Sequence, residues 1–172
     1  MDTKTTNKMR TKEKLLHSHN LGFANKDTLE LTKAINMLIA TYHVHYQKLR
    51  NFHWNVVGND FFELHEKFEE LYDFSKVNID DLAERVRVFG ERPMARLDEY
   101  LKYSKISEPD DGLKPKQMVD EILTDFEILL TQMITVLDLA NDCGDVSTIN
   151  LLNAIVNKTE KYYWMFNVWM DQ

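Results

Sequence analysis

The placement of glycine and proline constrains this chain more than any other feature. Its 172 residues include only five glycines and three prolines. Gly22, Gly58, Gly90, Gly112 and Gly144 stand far apart, while Pro93, Pro109 and Pro115 share one segment. Both residue types disfavour helix interiors, so the long stretches between them read as helices. The first helix is predicted from about Asp27, a suitable N-cap, to Asn55; Leu31, Ile35, Leu38 and Tyr42 recur along it at three- and four-residue intervals. The second runs from about Asp60 to Gly90, a C′ glycine with Pro93 beyond it. The third opens on Pro115 and extends to about Asn141, and the fourth spans about Val146 to Trp169. Between the second and third lies a long segment, 91–114, in which LDEYLKYS (97–104) has the pattern of a short helix.

Short links make the first two helices antiparallel neighbours, and likewise the last two. One long crossover then gives an all-α, ferritin-like four-helix bundle with a short helix in the crossover. The expected division is a flexible basic tail over residues 1–24 and one bundle domain over 25–172. Apolar residues make up 44% of the chain, enough for a bundle core. A net charge of −7 sets the body against nucleic acid and anionic membranes. No apolar run approaches the length of a membrane span. The N-terminus lacks the apolar region of a secretory signal, and the single Cys143 has no disulfide partner. A reducing, cytoplasmic setting is the expectation.

Residues with metal chemistry concentrate around the first hairpin. His53 lies near the end of the first helix, and the second carries His65, Glu69, Asp80 and Glu84. At about 100° per residue from His65, Glu69 falls near 40°, Asp80 near 60° and Glu84 near 100°, so all four share one face. Within each pair the i, i+4 spacing lets both side chains reach one ion. The apolar stripe of this helix, Leu64, Phe68, Leu71, Ile79, Leu82, Val86 and Phe89, lies roughly 140° away and must face the core. These ligands therefore point away from the interior of their own bundle. No Glu-x-x-His, the pattern of a di-iron site inside a bundle, occurs in the sequence.

His65 and Asp80 are separated by about 22 Å along one helix and cannot share an ion within one chain. Packing the second helix against its own copy across a two-fold axis would bring them together and create two equivalent sites. A further apolar set, Phe74, Val77 and Val88, suits a helix with more than one covered face. Two imidazoles with three carboxylates suit iron, with zinc or manganese as competitors. The residues alone leave a second reading open, in which these charges decorate a solvated face.

The stretch FHWNVVGNDFFELHEKFEELY, followed by DDLAERVRVFGERP, resembles the Dps family, the mini-ferritins named as DNA-binding proteins from starved cells. The resemblance spans about residues 25–170. It implies a hollow dodecamer built from two-fold dimers, with di-iron ferroxidase sites shared between subunits. It implies oxidation of Fe(II), preferentially by hydrogen peroxide over oxygen, and storage of ferric iron inside the shell. Matched by motif, His53, His65, Asp80 and Glu84 would be ligands. Glu69 stands where many members have Asp, and Trp54 matches the aromatic beside the site, or else serves as a core or interface anchor.

The tail carries Lys4, Lys8, Arg10, Lys12 and Lys14 against Asp2 and Glu13. Twelve such arms could hold DNA non-specifically in a nucleoid-associated role, or could simply keep an acidic particle dispersed. His17 and His19 read as solvated tail residues. Asp138, Asp142 and Asp145 could line an iron-access pore, although Asn141, Val146 and Asn150 depart from the family's acids. Met37, Met118, Met133 and Met165 read as core fillers, and Tyr162, Tyr163 and Trp164 as packing. Three functions compete: a peroxide-linked ferroxidase cage, a DNA-coating protein, and a helical assembly with structural zinc.

Overall fold

A computed structural model describes residues 28–171. Among them are four long helices and one short one: α1 (Leu29–Asn55), α2 (Phe61–Val88), α3 (Leu97–Tyr103), α4 (Pro115–Cys143) and α5 (Val146–Met170). These agree with the all-α, ferritin-like bundle expected from the sequence, with differences at the ends. α1 begins at Leu29 with Thr28 in the N-cap position, while Asp27 lies outside the described residues. α4 continues two residues past Asn141 because its stop is the left-handed Gly144, with φ of +68°. There Gly144 N–H reaches Asn141 O at 2.9 Å and Asp145 N–H reaches Ala140 O at 2.8 Å. α2 ends the same way, with Gly90 N–H on Arg87 O and Glu91 N–H on Val86 O. Both are paired bonds that satisfy terminal carbonyls once a glycine turns the chain.

Contacts across the bundle fix the helix directions. Along α1, Tyr42, His45 and Lys48 meet Met133, Asp125 and Glu121 of α4 in falling order, so these helices run antiparallel. Along α2, Phe68, Glu70 and Arg85 meet Phe166, Tyr162 and Thr148 of α5 in the same opposed order. α2 and α4 are consequently parallel, and a connection must return along the bundle between them. That connection lies against α1. Asn36 Oδ1 accepts from Met94 N–H at 2.7 Å, Thr41 Oγ1 accepts from Lys105 N–H at 3.1 Å, and His43 stacks on Tyr100 at 3.7 Å.

The core follows the apolar stripes. Leu64, Phe68, Leu71, Leu82, Val86 and Phe89 of α2 are buried as expected, and Ile79 is half-buried. Phe68 packs with Phe52 of α1 and Phe166 of α5, and Phe126 of α4 meets Phe166. One aromatic cluster thus ties all four long helices, each ring contributing roughly 1.5–3 kcal/mol by burial. Met118 and Met133 fill the core, Met37 is half-buried and Met165 is exposed. Between Leu71 and Leu82 the stripe turns polar. Ser75 bonds back to Leu71 O, and Asn78 donates to the Tyr42 hydroxyl at 3.5 Å. Burial pushes the Tyr42 phenol well above its ordinary value, so it stays protonated and can donate to Met133 Sδ.

Candidate metal centre

The link after α1 is short, so the end of α1 and the start of α2 lie side by side. This brings together two histidines twelve positions apart in the sequence. Their rings stack, with centroids 3.8 Å apart and planes 20° from parallel. His53 Nδ1 lies 2.8 Å from the His65 carbonyl oxygen, and His65 Nδ1 lies 2.8 Å from the His53 carbonyl oxygen. A carbonyl only accepts, so Nδ1 carries the proton on both rings. In the neutral imidazole this leaves the Nε2 lone pair free as a metal ligand. Phe61 stacks on His65 at 5.0 Å, and the edge of Tyr72 meets His53 at 5.4 Å. Both rings are thus held by packing as well as by hydrogen bonds.

Glu69, one turn along α2, completes a local group. One potential ligand atom each from His53, His65 and Glu69 lies within 4.8 Å of the others. His53 is buried, His65 half-buried and Glu69 exposed, so the group opens outward. Partial burial, and then the charge of the Glu69 carboxylate, raise the Tyr72 phenol above its ordinary value. Two imidazoles and a carboxylate are a donor set for iron, zinc or manganese, and three protein ligands leave coordination positions open.

Asp80 and Glu84 are exposed farther along the same helix and do not join this group. Val77 and Val88 stay exposed beside them, at 56% and 39%. Phe74, the third member of that set, is half-buried. Within the chain it already packs against Tyr162, and the Lys158 ammonium lies 4.5 Å from its ring centroid.

Trp54 is 57% exposed, which removes the reading of it as a core anchor. Its ring carries the Arg50 guanidinium at 4.7 Å, and the same guanidinium lies 5.3 Å from Tyr46. These residues border a cleft of about 650 Å³ between α1 and the crossover, with Leu97 and Leu101 on its far side. His43, on the same wall, is pushed below its ordinary value by burial.

Asp145 does not belong to a solvent-lined acidic ring. It is 1% exposed and caps α5, accepting from Thr148 N–H at 3.2 Å and from Arg85 Nη2 at 2.6 Å. Asp138 and Asp142 remain on the surface. In the terminal aromatic cluster, Tyr162 and Tyr163 donate to Glu70 and Glu127, each at 2.7 Å, and Trp164 is exposed. The tail cations, His17 and His19 lie outside the described residues.

One cluster escaped the sequence reading. His45, Lys48 and Asp125 are buried together inside the bundle. The signal was present: His45 continues the stripe Ile35, Leu38, Tyr42, His45, Leu49, Phe52, and Asp125 interrupts the corresponding stripe of α4. A titratable residue on a core stripe announces a buried partner.

Residues 32–172 match the ferritin-like domain. A relative from Bacillus anthracis, DNA protection during starvation protein 2, is 39% identical over 148 residues, covering 86% of this chain and 99% of its own. The crystal structure of a Dps protein from Vibrio cholerae O1, described as one of the ferritin-like diiron-carboxylate proteins, is 39% identical. It superposes with a TM-score of 0.81, covering 83% of this chain and 90% of that one. A Dps structure from Bacillus brevis is 38% identical with a TM-score of 0.81, over 84% and 99% of the two chains. The chain belongs to the Dps family of the ferritin-like superfamily.

Proposed function

We propose that this protein oxidises Fe(II), preferentially with hydrogen peroxide, at sites shared between two subunits of a dodecameric shell that stores the ferric product. The observation that carries this reading is the half-site on one chain. His53, His65 and Glu69 converge, while Asp80 and Glu84 lie about 22 Å farther along α2. An antiparallel partner would supply its Asp80 and Glu84 to this group and receive the same in return. The donor chemistry fits both oxidation states of the substrate. The imidazoles hold Fe(II), and the carboxylates favour the harder Fe(III). Two Fe(II) ions lose one electron each, and one peroxide takes both with two protons, breaking its O–O bond to give two waters. Pairing the electrons in this way leaves no hydroxyl radical to escape.

Among the described residues no helix is long and apolar enough to cross a membrane. The basic tail would add non-specific DNA binding, consistent with the name borne by the Bacillus anthracis relative. The deciding experiment compares Fe(II) oxidation by the purified protein with peroxide or with oxygen as oxidant. Rapid peroxide-driven oxidation with iron retained by the protein is expected. A rate equal to that of protein-free buffer would refute the ferroxidase reading and leave a metal-stabilised or DNA-coating assembly.

A further inference from the structure

The face of α2 that carries His65, Glu69, Asp80 and Glu84 also carries two opposite charges between them. At about 100° per residue from His65, Lys76 falls near 20° and Asp73 near 80°, inside the span from His65 to Glu84. Both side chains are exposed. They stand three positions apart, a spacing at which opposite charges can pair along a helix. Lys67 and Glu70, at the same spacing on the same helix, do pair. Asp73 and Lys76 do not, and among the described residues neither enters any ion pair.

The two half-sites fix how α2 would meet its copy. If His65 faces Glu84 of the partner subunit, and Glu69 faces Asp80 of the partner subunit, the two-fold axis crosses α2 between Phe74 and Ser75. The same register sets Asp73 opposite Lys76 of the partner subunit, and Lys76 opposite Asp73 of the partner subunit. One isologous contact thus makes both pairs at once. A slip of about one turn does the reverse. It sets Asp73 against Asp73 of the partner subunit in one direction, and Lys76 against Lys76 of the partner subunit in the other. The same slip parts His65 from Glu84 of the partner subunit. Opposed like charges suppress a wrong pairing, and matched charges fix its register.

We propose that Asp73 and Lys76 form a reciprocal ion pair between two copies of this chain and set the register in which the shared site closes. Both are positioning residues. The proposal rests on the shared-site reading of the function and names what aligns its two halves.

The test uses the full-length chain, kept metal-free with a chelator, and follows association on dilution by native mass spectrometry. Asp73→Lys and Lys76→Asp should each weaken association at least about tenfold, because each opposes like charges twice across the axis. Mixing the two variants should restore it, since the two cations of one chain then face the two carboxylates of the other. Mixed dimers should exceed their statistical share. Asp73→Lys with Lys76→Asp in one chain should associate like wild type. Wild-type association in either single variant would overturn the proposal. So would weakened association that neither the mixture nor the double variant restores. If a single variant fails to fold by circular dichroism, the double variant decides: wild-type association supports the pair, and weak association overturns it. Fe(II) oxidation is read separately. Preferred mixed dimers that do not oxidise iron would refute the ferroxidase reading and leave the register standing.

Discussion

The imidazoles of His53 and His65 exchange hydrogen bonds with each other's main chain, Nδ1 to carbonyl oxygen, at 2.8 Å in both directions. The exchange makes each ring's orientation a property of the backbone of the opposite helix. Neither acceptor is a side chain, so replacing one histidine leaves the other's hydrogen bond in place.

His53→Ala should therefore act locally. Peroxide-driven Fe(II) oxidation is expected to slow at least about tenfold, since even loss of an outer partner to a metal ligand costs that much. Helical content by circular dichroism should remain that of wild type. Unchanged oxidation rates in this variant would remove His53 from the site.

Sharing of ligands between chains makes a sharper prediction. His65→Ala and Asp80→Ala proteins should each be impaired. When disassembled together and reassembled, half-sites from different parents should meet and recover part of the activity. Mixed dimers, verified by mass spectrometry, that show no recovery would argue that each chain supplies its own complete ligand set.

Asp145 performs two structural tasks, capping α5 and holding Arg85. Asp145→Ala should cost about 3 kcal/mol, combining a lost cap with a broken buried ion pair. Asp145→Asn keeps a capping oxygen and should cost visibly less. Urea unfolding distinguishes them; equal costs would mean that the cap contributes nothing.

Glu70 gives the fold an acid-side sensitivity. The hydrogen bond from Lys67, then that from the Tyr162 hydroxyl, hold its carboxyl below the ordinary value of 4.5, against an opposing effect of burial. A carboxyl lowered on folding stabilises the native state above its unfolded value, and that stabilisation is lost as pH falls through the lowered value. Glu70 is nearly half exposed, so solvent screening keeps the effect modest. Tyr162→Phe should lower the urea midpoint near neutral pH, with the difference from wild type narrowing below about pH 4. A pH-independent difference would mean that the contribution of the Tyr162 hydroxyl does not depend on the charge of Glu70.

The helices were legible because Gly90 and Gly144 are the left-handed stops and Pro115 begins a helix where its missing N–H is no loss. The outward direction of His65, Glu69, Asp80 and Glu84 followed from the α2 stripe alone. The orientation of the His53–His65 pair was not legible, because it depends on main-chain carbonyls, and composition says nothing of where a carbonyl points. The burial of Asp145 was missed for a related reason: its partner Arg85 lies 60 positions away, and an acid at a helix start looks the same whether capped in solvent or paired inside. His45 and Asp125 could have been found by asking which stripe positions are not apolar.

The crossover is strapped to α1 through Asn36 and Thr41, away from the short link that joins α1 to α2. The His53–His65 hairpin needs only a short loop to close, a local and entropically inexpensive step in folding. Asp80 and Glu84 on the same helix cannot follow it into one coordination shell at any stage of that step. If the shell is completed by a neighbour, a newly made chain carries the grip for an iron ion before it carries the means to finish oxidising it. Reactivity would then wait on quaternary assembly, and a lone subunit would be chemically quiet.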